Sequence, residues 1–306
     1  MTDTSRRARA RWLGVGLAFA LLAAPVAACL AAPEQIPSIV DPPSSEHHVG
    51  KVIWADLVTP DLAGAKRFYA GLFGWTFRDT AVGSSTYAVA MLDGRPVAGV
   101  FERAAREDEH RQPAWLTFIA VSDVDAIKRA AVDHGAKVLF GPRTFQGRGR
   151  QAVFADPDGA VFAVLASSSG DPADFLAAPG EWIWSSLLAS NPDTSATFYQ
   201  TLLGYDVYDL ETTSGTDHLI LSSDDYARAS VVALPAGSHR HPHWLNYIRV
   251  LDTTDAATKV ATLGGRVLVE PHLDRHGGKI AVVADPAGAP FGLMEWTDSD
   301  TKVEPK

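Results

Sequence analysis

The sequence has almost no cysteine: Cys29 is the single one among 306 residues. A chain with one thiol cannot form an internal disulfide, which excludes the small disulfide-framed folds of secreted proteins. Methionine is also scarce, with three residues, whereas tryptophan is plentiful, with eight. Because 46% of the residues are apolar, the chain can build about two ordinary hydrophobic cores.

Positive charge is also in short supply. The chain has 27 Lys and Arg against 36 Asp and Glu, and its formal net charge is −9. A protein that binds nucleic acid needs a basic surface to displace the counterions of the phosphates. The charge balance therefore argues against a nucleic-acid partner and is typical of a surface kept soluble by its charge.

The first 28 residues have the pattern of an export signal. An arginine-rich start precedes an apolar run from Trp12 to about Ala24, which is too short to span a membrane and breaks at Pro25. Val26-Ala27-Ala28-Cys29 resembles a bacterial lipobox, in which the cysteine becomes the lipid-modified first residue. The alternative is an ordinary cleavage site beside an incidental cysteine. We expect a lipid anchor at Cys29 on a membrane of the cell envelope, with the folded domains outside the cytoplasm. The Pro- and Ser-rich residues 29–49 are predicted to form a tether.

The rest of the chain is a long internal repeat. The stretch "KRFYAGLFGW" at residues 66–75 returns as "ATFYQTLLGY" at residues 196–205. The copies cover 50–168 and 180–297, with a linker at 169–179 and a C-terminal tail at 298–306. In each copy a strand, a helix and further strands occur twice, and Asp61 and Gly74 have the positions of helix caps. Each copy is therefore predicted to be a doubled βαβββ unit.

Three motifs carry a resemblance to a known family: "FYAGLFGW" after the first strand, "VSDVDA" at the second helix, and "FADPDGAVFAVL" at the end of a copy. In order and spacing the chain resembles the vicinal oxygen chelate superfamily, which contains glyoxalases, bleomycin resistance proteins and extradiol dioxygenases. The resemblance implies an α+β fold with two tandem domains. In each domain a pair of βαβββ modules would form a curled mixed sheet, or cup, with flanking helices and a small-molecule site inside. Two copies in one chain would form an intrachain pseudo-dimer.

The family usually holds a divalent metal in the cup, but this sequence lacks the ligands. Counting from the helix caps and the last turn places six residues at the metal-ligand positions: Trp54, Trp115 and Ala163 in the first copy, and Trp184, Trp244 and Gly292 in the second. Indole offers only an N–H donor, while Ala and Gly have no donor atom in the side chain. We therefore predict no cofactor and no metal ligands, and a divalent metal would have to use displaced ligands.

The four repeated tryptophans are interpreted in two ways, as walls for a planar ligand or as core filling. Asp56 shares a strand face with Trp54, so it could accept a substrate hydrogen bond, act as a base, or make a structural hydrogen bond. The matching residue of the second copy is Ser186, and on this ground the first cup is expected to be the functional one. Arg148, in a Gly-rich loop beside the cup, is a candidate for binding an anionic substrate or an ordinary residue of the rim.

Three functions remain open from the sequence. The first is a metal-independent binder of a small planar or hydrophobic molecule. The second is an enzyme of the lyase, isomerase or dioxygenase type with a displaced metal or acid–base site. The third is a structural protein with closed cups and a protein partner. Fold alone does not choose among them.

Overall fold

The computed structural model describes residues 35–83, 85–103, 113–209, 218–235, 241–273 and 278–296. The predicted signal at 1–28, the predicted lipidation site Cys29 and the predicted tail at 298–306 lie outside the described residues. Within the described ranges, no helix has the length and apolar character that crossing a bilayer requires.

The first sheet is made of two consecutive βαβββ modules. Their elements are β1 (Val52–Thr59), α1 (Leu62–Phe73), β2 (Thr76–Val82), β3 (Ser85–Leu92) and β4 (Arg95–Glu102), then β5 (Ala114–Ala120), α2 (Val124–Asp133), β6 (Lys137–Phe145), β7 (Gly149–Ala155) and β8 (Val161–Ser167). The strand order is β2-β3-β4-β1-β5-β8-β7-β6. β1 pairs parallel with β4 and antiparallel with β5, so the first strands of the two modules meet at the centre.

The second sheet repeats this arrangement. Its elements are β9 (Trp182–Ala189), α3 (Pro192–Leu203), β10 (Asp206–Asp209), β11 (His218–Ser223) and β12 (Tyr226–Ala233), then β13 (His243–Val250), α4 (Thr253–Thr262), β14 (Arg266–Leu273), β15 (Lys279–Ala284) and β16 (Pro290–Glu295). The strand order matches that of the first sheet when eight is added to each strand number: β10-β11-β12-β9-β13-β16-β15-β14. The predicted fold, two tandem domains of paired βαβββ modules, is confirmed.

The repeated motif builds the same capped helix twice. The Asp61 carboxylate accepts a hydrogen bond from the Gly64 amide at 2.7 Å, and Gly74 ends α1 in the left-handed conformation with φ 75°. In the second copy Asn191 caps α3 in the same way, and Gly204 ends it with φ 73°. The sequence pattern thus sets both ends of each helix.

The helices bury their apolar faces between the two domains. One buried cluster joins α1 to α4 and the neighbouring strands, and includes Phe68, Val260 and Phe291. The other joins α2 to α3, and includes Val124 and Phe198. Since each cluster contains residues of both domains, neither domain completes its core alone, and the chain is an intrachain pseudo-dimer.

The domains also exchange a buried hydrogen bond in both directions. The Tyr199 hydroxyl donates to Asp156 Oδ2 of the first domain at 3.0 Å. The Tyr69 hydroxyl faces Asp285 Oδ2 of the second domain at 3.4 Å. Both tyrosines come from the repeated "FY" of the helix motif, and both aspartates open the repeated "DP" turn. Burial raises the pKa of both phenols well above the ordinary value and also raises the pKa of both carboxyls.

A segment predicted as tether lies on the first domain instead. We call residues 35–49 the strap. Gln35 forms a parallel bridge to Gln146, and Ile39 is 2% exposed within the cluster that fills the concave face of the first sheet. Composition indicated an unpacked linker, but Ile39, with Ile36 and Val40 beside it, packs the strap onto the first domain.

Candidate functional site

The first cup is the concave face of the first sheet, and a polar network fills its centre. Asp56 Oδ1 accepts hydrogen bonds from Trp54 Nε1 and from the Tyr87 hydroxyl, both at 2.6 Å. The Tyr87 hydroxyl in turn accepts from Arg148 Nη2 at 2.5 Å. Arg148 Nη1 lies 3.5 Å from Asp56 Oδ2. Gly99 leaves room for this network, since a Cβ there would lie 2.0 Å from the Asp56 carboxylate.

Aromatic rings surround the Arg148 guanidinium on several sides. Its central carbon lies 5.1 Å from the Trp54 ring, 5.4 Å from Tyr87 and 5.9 Å from Phe118. The Arg148 side chain is fully buried. Its charge is tolerated there because aromatic rings and hydrogen-bond partners surround the guanidinium. Burial also raises the pKa of the Tyr87 phenol well above its ordinary range, so the phenol stays protonated. Arg148 is therefore part of the cup interior and not of an open rim.

Two polar atoms in the first cup are buried without a hydrogen-bond partner among the described residues. They are Arg148 Nη1 and Gln151 Oε1. Gln151 pairs with Leu165 in the sheet, and Leu165 belongs to the cluster of the first cup. Unpaired buried donors and acceptors are costly, and they mark places where a small polar group fits.

Both oxygens of the Asp56 carboxylate, the candidate base, already have partners in the protein. One of its oxygens accepts two hydrogen bonds and the other faces a guanidinium, while its side chain is 13% exposed. These contacts favour the structural reading of this carboxylate, and its catalytic role stays a prediction. The sequence had pointed to Trp54, Asp56 and Arg148 separately, and the structure brings the three together. It adds Tyr87 of β3 and Phe118 of β5, which the sequence analysis did not single out.

The second cup has the same shape but different chemistry. Trp184 Nε1 donates to Ser230 Oγ at 3.1 Å, and Ser230 Oγ lies 2.8 Å from Ser186 Oγ. Leu245 and Tyr247 of β13 are buried beside Trp184. Asp56 of β1 pairs with Gly99 of β4, and in the second domain Ser186 of β9 pairs with Ser230 of β12. The two serines therefore occupy the places of Asp56 and Gly99. A hydroxyl pair therefore replaces the carboxylate–guanidinium centre.

Among the described residues, a smaller share of the apolar lining of the second cup is fully buried. Its half-buried residues include Trp184, Leu188, Ile280, Val282 and Trp296. In the first cup Trp54 is 3% exposed, and the strap residue Ile39 covers the same face. Ile39 and the side chains of the first cup thus fill its centre, and the expectation that this cup is the functional one stays a prediction.

The prediction that Trp115 and Trp244 line the cups is wrong. Trp115 Nε1 donates to the Tyr69 hydroxyl at 3.0 Å, and Trp244 Nε1 donates to Tyr199 at 3.0 Å, in the cores between the domains. Both indoles lie on the helix side of their sheets. The count from the helix cap was one residue off, and a shift of one residue moves a side chain to the other face of a strand.

The corrected positions at the centre of each cup still lack metal donors. They are Trp54, Leu116 and Ala163 in the first cup, and Trp184, Leu245 and Gly292 in the second. Where Gly292 lies, a Cβ would come 2.0 Å from the Tyr247 ring. Among the described residues, no group of three or more His, Cys, Asp or Glu side chains could hold an ion. The residues at these positions therefore do not fit the metal that the fold family implies.

Comparisons with protein families and curated proteins agree with this architecture. The family described as Glyoxalase/Bleomycin resistance protein/Dioxygenase superfamily matches residues 47–164, and a Glyoxalase-like domain matches residues 185–294. "Putative glyoxylase CFP32" of Mycobacterium tuberculosis (strain CDC 1551 / Oshkosh) is 32% identical over 256 residues, which is 83% of this chain and 98% of that protein. "Anthracycline biosynthesis protein DauV" of Streptomyces sp. (strain C5) is 33% identical over 258 residues, 80% of this chain and 93% of that protein.

Solved structures share the fold at low identity. The Mn(II)-bound glyoxalase from Novosphingobium aromaticivorans has a TM-score of 0.56 at 19% identity, over 81% of this chain and 82% of that one. The 2,3-dioxygenase LapB from Pseudomonas sp. KL28 has a TM-score of 0.56 at 15% identity, over 82% and 94% of the two chains. At such identities the likeness establishes the fold alone.

Proposed function

Because the chain belongs to the glyoxalase/bleomycin resistance protein/dioxygenase superfamily, we propose that it binds a small, planar and largely apolar molecule in its second cup, without the metal usual in that superfamily. The observation that carries this proposal is the contrast between the cups. The second cup has a half-buried aromatic and aliphatic lining, whereas the first is closed by its own side chains and the strap. Small-molecule sites are typically concave, apolar and equipped with few polar groups.

The polar groups of the second cup suit one hydrogen bond to a ligand. Trp184 Nε1, Ser230 and Ser186 offer three protons, and their two mutual hydrogen bonds use two of them. One hydroxyl proton therefore remains for a ligand oxygen. The hydrogen bond to Ser230 also holds the indole in a fixed orientation, which lowers the entropic cost of stacking a ring against it.

The name of one relative suggests a chemical class for the ligand. DauV is named for anthracycline biosynthesis. Anthracyclines contain a planar polycyclic ring system that carries ketone and phenol oxygens. Such a compound matches an indole wall with a single nearby hydroxyl donor. The ligand class that we propose is therefore a polycyclic aromatic compound with a ketone or phenol oxygen.

The test uses 1,4-dihydroxyanthraquinone as the probe, with binding followed by the quenching of tryptophan fluorescence and by equilibrium dialysis. Trp184→Ala should weaken binding by about five- to thirtyfold, because a stacked aromatic contact and its buried area contribute about 1–2 kcal/mol. Trp54→Phe, in the closed first cup, is the matched control and should leave the affinity unchanged. No saturable binding by the wild-type protein, or an unaltered affinity in Trp184→Ala, would contradict the proposal.

We also propose that the protein is exported and anchored by a lipid on Cys29. The support is the lipobox-like Val26-Ala27-Ala28-Cys29 after an export signal, in a chain that has no other cysteine. Mass spectrometry of the membrane-extracted protein should find an acylated N-terminal Cys29, and Cys29→Ser should release the protein from the membrane fraction. A mature chain that starts elsewhere and carries no lipid would refute this proposal without affecting the binding proposal.

A further inference from the structure

The strap occupies the first cup in the manner of a bound peptide. Its Ile36 amide donates to the Gln146 carbonyl at 3.1 Å, and its Pro37 carbonyl accepts from Arg148 Nε at 3.0 Å. The Ile39 side chain is buried in one cluster with Trp54, Tyr87 and Phe118. A cup would hold a ligand through the same kinds of contact: a carbonyl oxygen on the buried guanidinium of Arg148, and an apolar group against the aromatic rings.

Hydrogen bonds hold the strap at several places, but most of its side chains are exposed or half-buried. Ile39 is its only fully buried side chain, and residues 41–43 and 45–47 are exposed. Ser44 is fixed by its amide on the Ser169 carbonyl at 2.9 Å, and the His48 amide donates to Asp171 at 2.7 Å. Segments with few buried contacts open locally without unfolding the whole protein.

In the part of the chain that the structure describes, no comparable segment is buried in the second cup. The segment that precedes its first strand is the linker at 169–179, as the strap precedes β1. Among the described residues, the buried cluster of the second cup includes none from 169–179. Within the described ranges, burial of the preceding segment in the cup is therefore seen in the first domain and is not repeated in the second.

The buried polar atoms of the first cup also point to a ligand. Even with the strap in place, Gln151 Oε1 has no hydrogen-bond partner among the described residues, and Arg148 Nη1 has only the Asp56 carboxylate 3.5 Å away. The strap therefore satisfies the site only in part. A molecule with a carbonyl oxygen for Nη1 and a donor for Gln151 would satisfy it better.

We propose that the strap is an autoinhibitory occupant of the first cup, which a carbonyl compound with a branched apolar group, such as an extended peptide, displaces. This inference is independent of the proposed function, because that function uses the second cup. Release of the strap would uncover Trp54, Tyr87, Phe118 and Arg148. The strap itself then defines the chemistry of the competing ligand.

Two glycines offer a test with a matched control. A Cβ on Gly147 would lie 2.7 Å from the Ile36 carbonyl oxygen, so Gly147→Ala should push the strap off its bridge. Gly147 has φ 88°, and an alanine there is strained in any case. Gly94 has φ 79° with nothing within 4 Å of a Cβ, so Gly94→Ala carries comparable backbone strain but no contact with the strap.

The probe is a fluorescent synthetic peptide with the sequence "QIPSIVDPP" of strap residues 35–43, added to the full chain and followed by fluorescence anisotropy. We expect Gly147→Ala to bind the peptide at least tenfold more tightly than the wild-type protein or Gly94→Ala. Replacing the second isoleucine of the peptide by aspartate should abolish the gain. Equal affinities in a folded Gly147→Ala and in Gly94→Ala would overturn the proposal.

A second measurement uses the unaltered protein and covers the case in which Gly147→Ala fails to fold. Hydrogen exchange should show the Ile36 and Ser44 amides opening at least a hundredfold more often than the Ala120 amide of the central β5. An excess of unlabelled peptide should raise the exchange of the strap amides further. Exchange of the strap and β5 amides at the same rate would mean that the strap opens only on global unfolding, and the proposal would fall.

Discussion

Tyr199→Phe tests the claim that the two domains share one folding unit. The substitution keeps the ring and removes a hydroxyl that donates to Asp156 at 3.0 Å and accepts from Trp244 Nε1 at 3.0 Å. All three groups are buried. The change in stability therefore comes from hydrogen bonding and not from packing.

The magnitude follows from the two bonds. A hydrogen bond to an ionised group contributes about 1.5–3 kcal/mol, and a buried N–H left without a partner costs about 1–3 kcal/mol. Allowing for partial relaxation, we expect the free energy of unfolding to fall by about 3 kcal/mol. Tyr69→Phe is the matched control. Its hydroxyl accepts an equivalent bond from Trp115 at 3.0 Å but lies 3.4 Å from Asp285, so its cost should be smaller by about 1 kcal/mol.

The assay is urea unfolding followed by tryptophan fluorescence and by far-ultraviolet circular dichroism. Because both cores contain residues of both domains, the two signals should report one transition in each variant, at a lower midpoint and with an unchanged slope. A loss below about 1 kcal/mol in Tyr199→Phe, or an equal or greater loss in Tyr69→Phe, would refute the reasoning. Separate transitions for the two domains would refute the shared unit.

Three further substitutions have definite expected outcomes. Burial raises the pKa of the Asp156 carboxyl in the folded protein above its value in the unfolded chain. The free energy of unfolding therefore includes a stabilising part that is complete in acid and is lost as pH rises through the pKa of the folded protein. Asp156→Asn should flatten that part of the curve of stability against pH, and an unchanged curve would contradict the assignment. Gly99→Ala should destabilise the protein by about 3 kcal/mol in thermal unfolding, because its Cβ would lie 2.0 Å from Asp56, and a neutral effect would mean that the cup is more plastic than described. Arg95→Ala should cost less than about 1 kcal/mol although its ion pair with Glu181 is 2.7 Å long, because the arginine is 49% exposed; a larger, salt-insensitive loss would be inconsistent with a screened pair.

The fold could be predicted from the sequence because its signals are local and occur twice. Helix caps such as Asp61 and Gly74 act within a few residues, and the hairpin turn at Asp93-Gly94 has the positive φ angles that this pair favours. The repeat then placed each signal a second time. Signals of this kind depend on residues close together in the sequence, so they can be recognised without knowledge of the tertiary contacts.

The faces of β5 and β13 could not be predicted in the same way. Trp115, Thr117 and Ile119 point to the helix side, while Leu116 and Phe118 point into the cup, and both sets are largely apolar. A central strand that is covered on both faces has no hydrophobic alternation to indicate its orientation. The indole of Trp115 is satisfied by Tyr69, which lies 46 residues away in sequence, so its partner could not be inferred locally.

The strap was missed for a related reason. Its Pro- and Ser-rich composition matches that of an unpacked linker, and its docking depends on Ile39 and on Arg148, which is far away in the sequence. The same proline content lowers the entropy of the free segment, so a small number of contacts can hold it. Composition alone cannot distinguish these two outcomes.

At the centre of the molecule, Asn246 binds two residues: its Nδ2 donates to Thr117 Oγ1 at 2.9 Å, and its Oδ1 accepts from Ser185 Oγ at 2.7 Å. Thr117 and Asn246 occupy matching places in the duplicated halves, so a symmetric ancestor would have carried identical residues there. Two first halves would bring threonine against threonine, and two second halves asparagine against asparagine; neither pairing reproduces the amide–hydroxyl match. This contact therefore requires one residue type from each half, and a change at Thr117 or at Asn246 alone would remove the match between them.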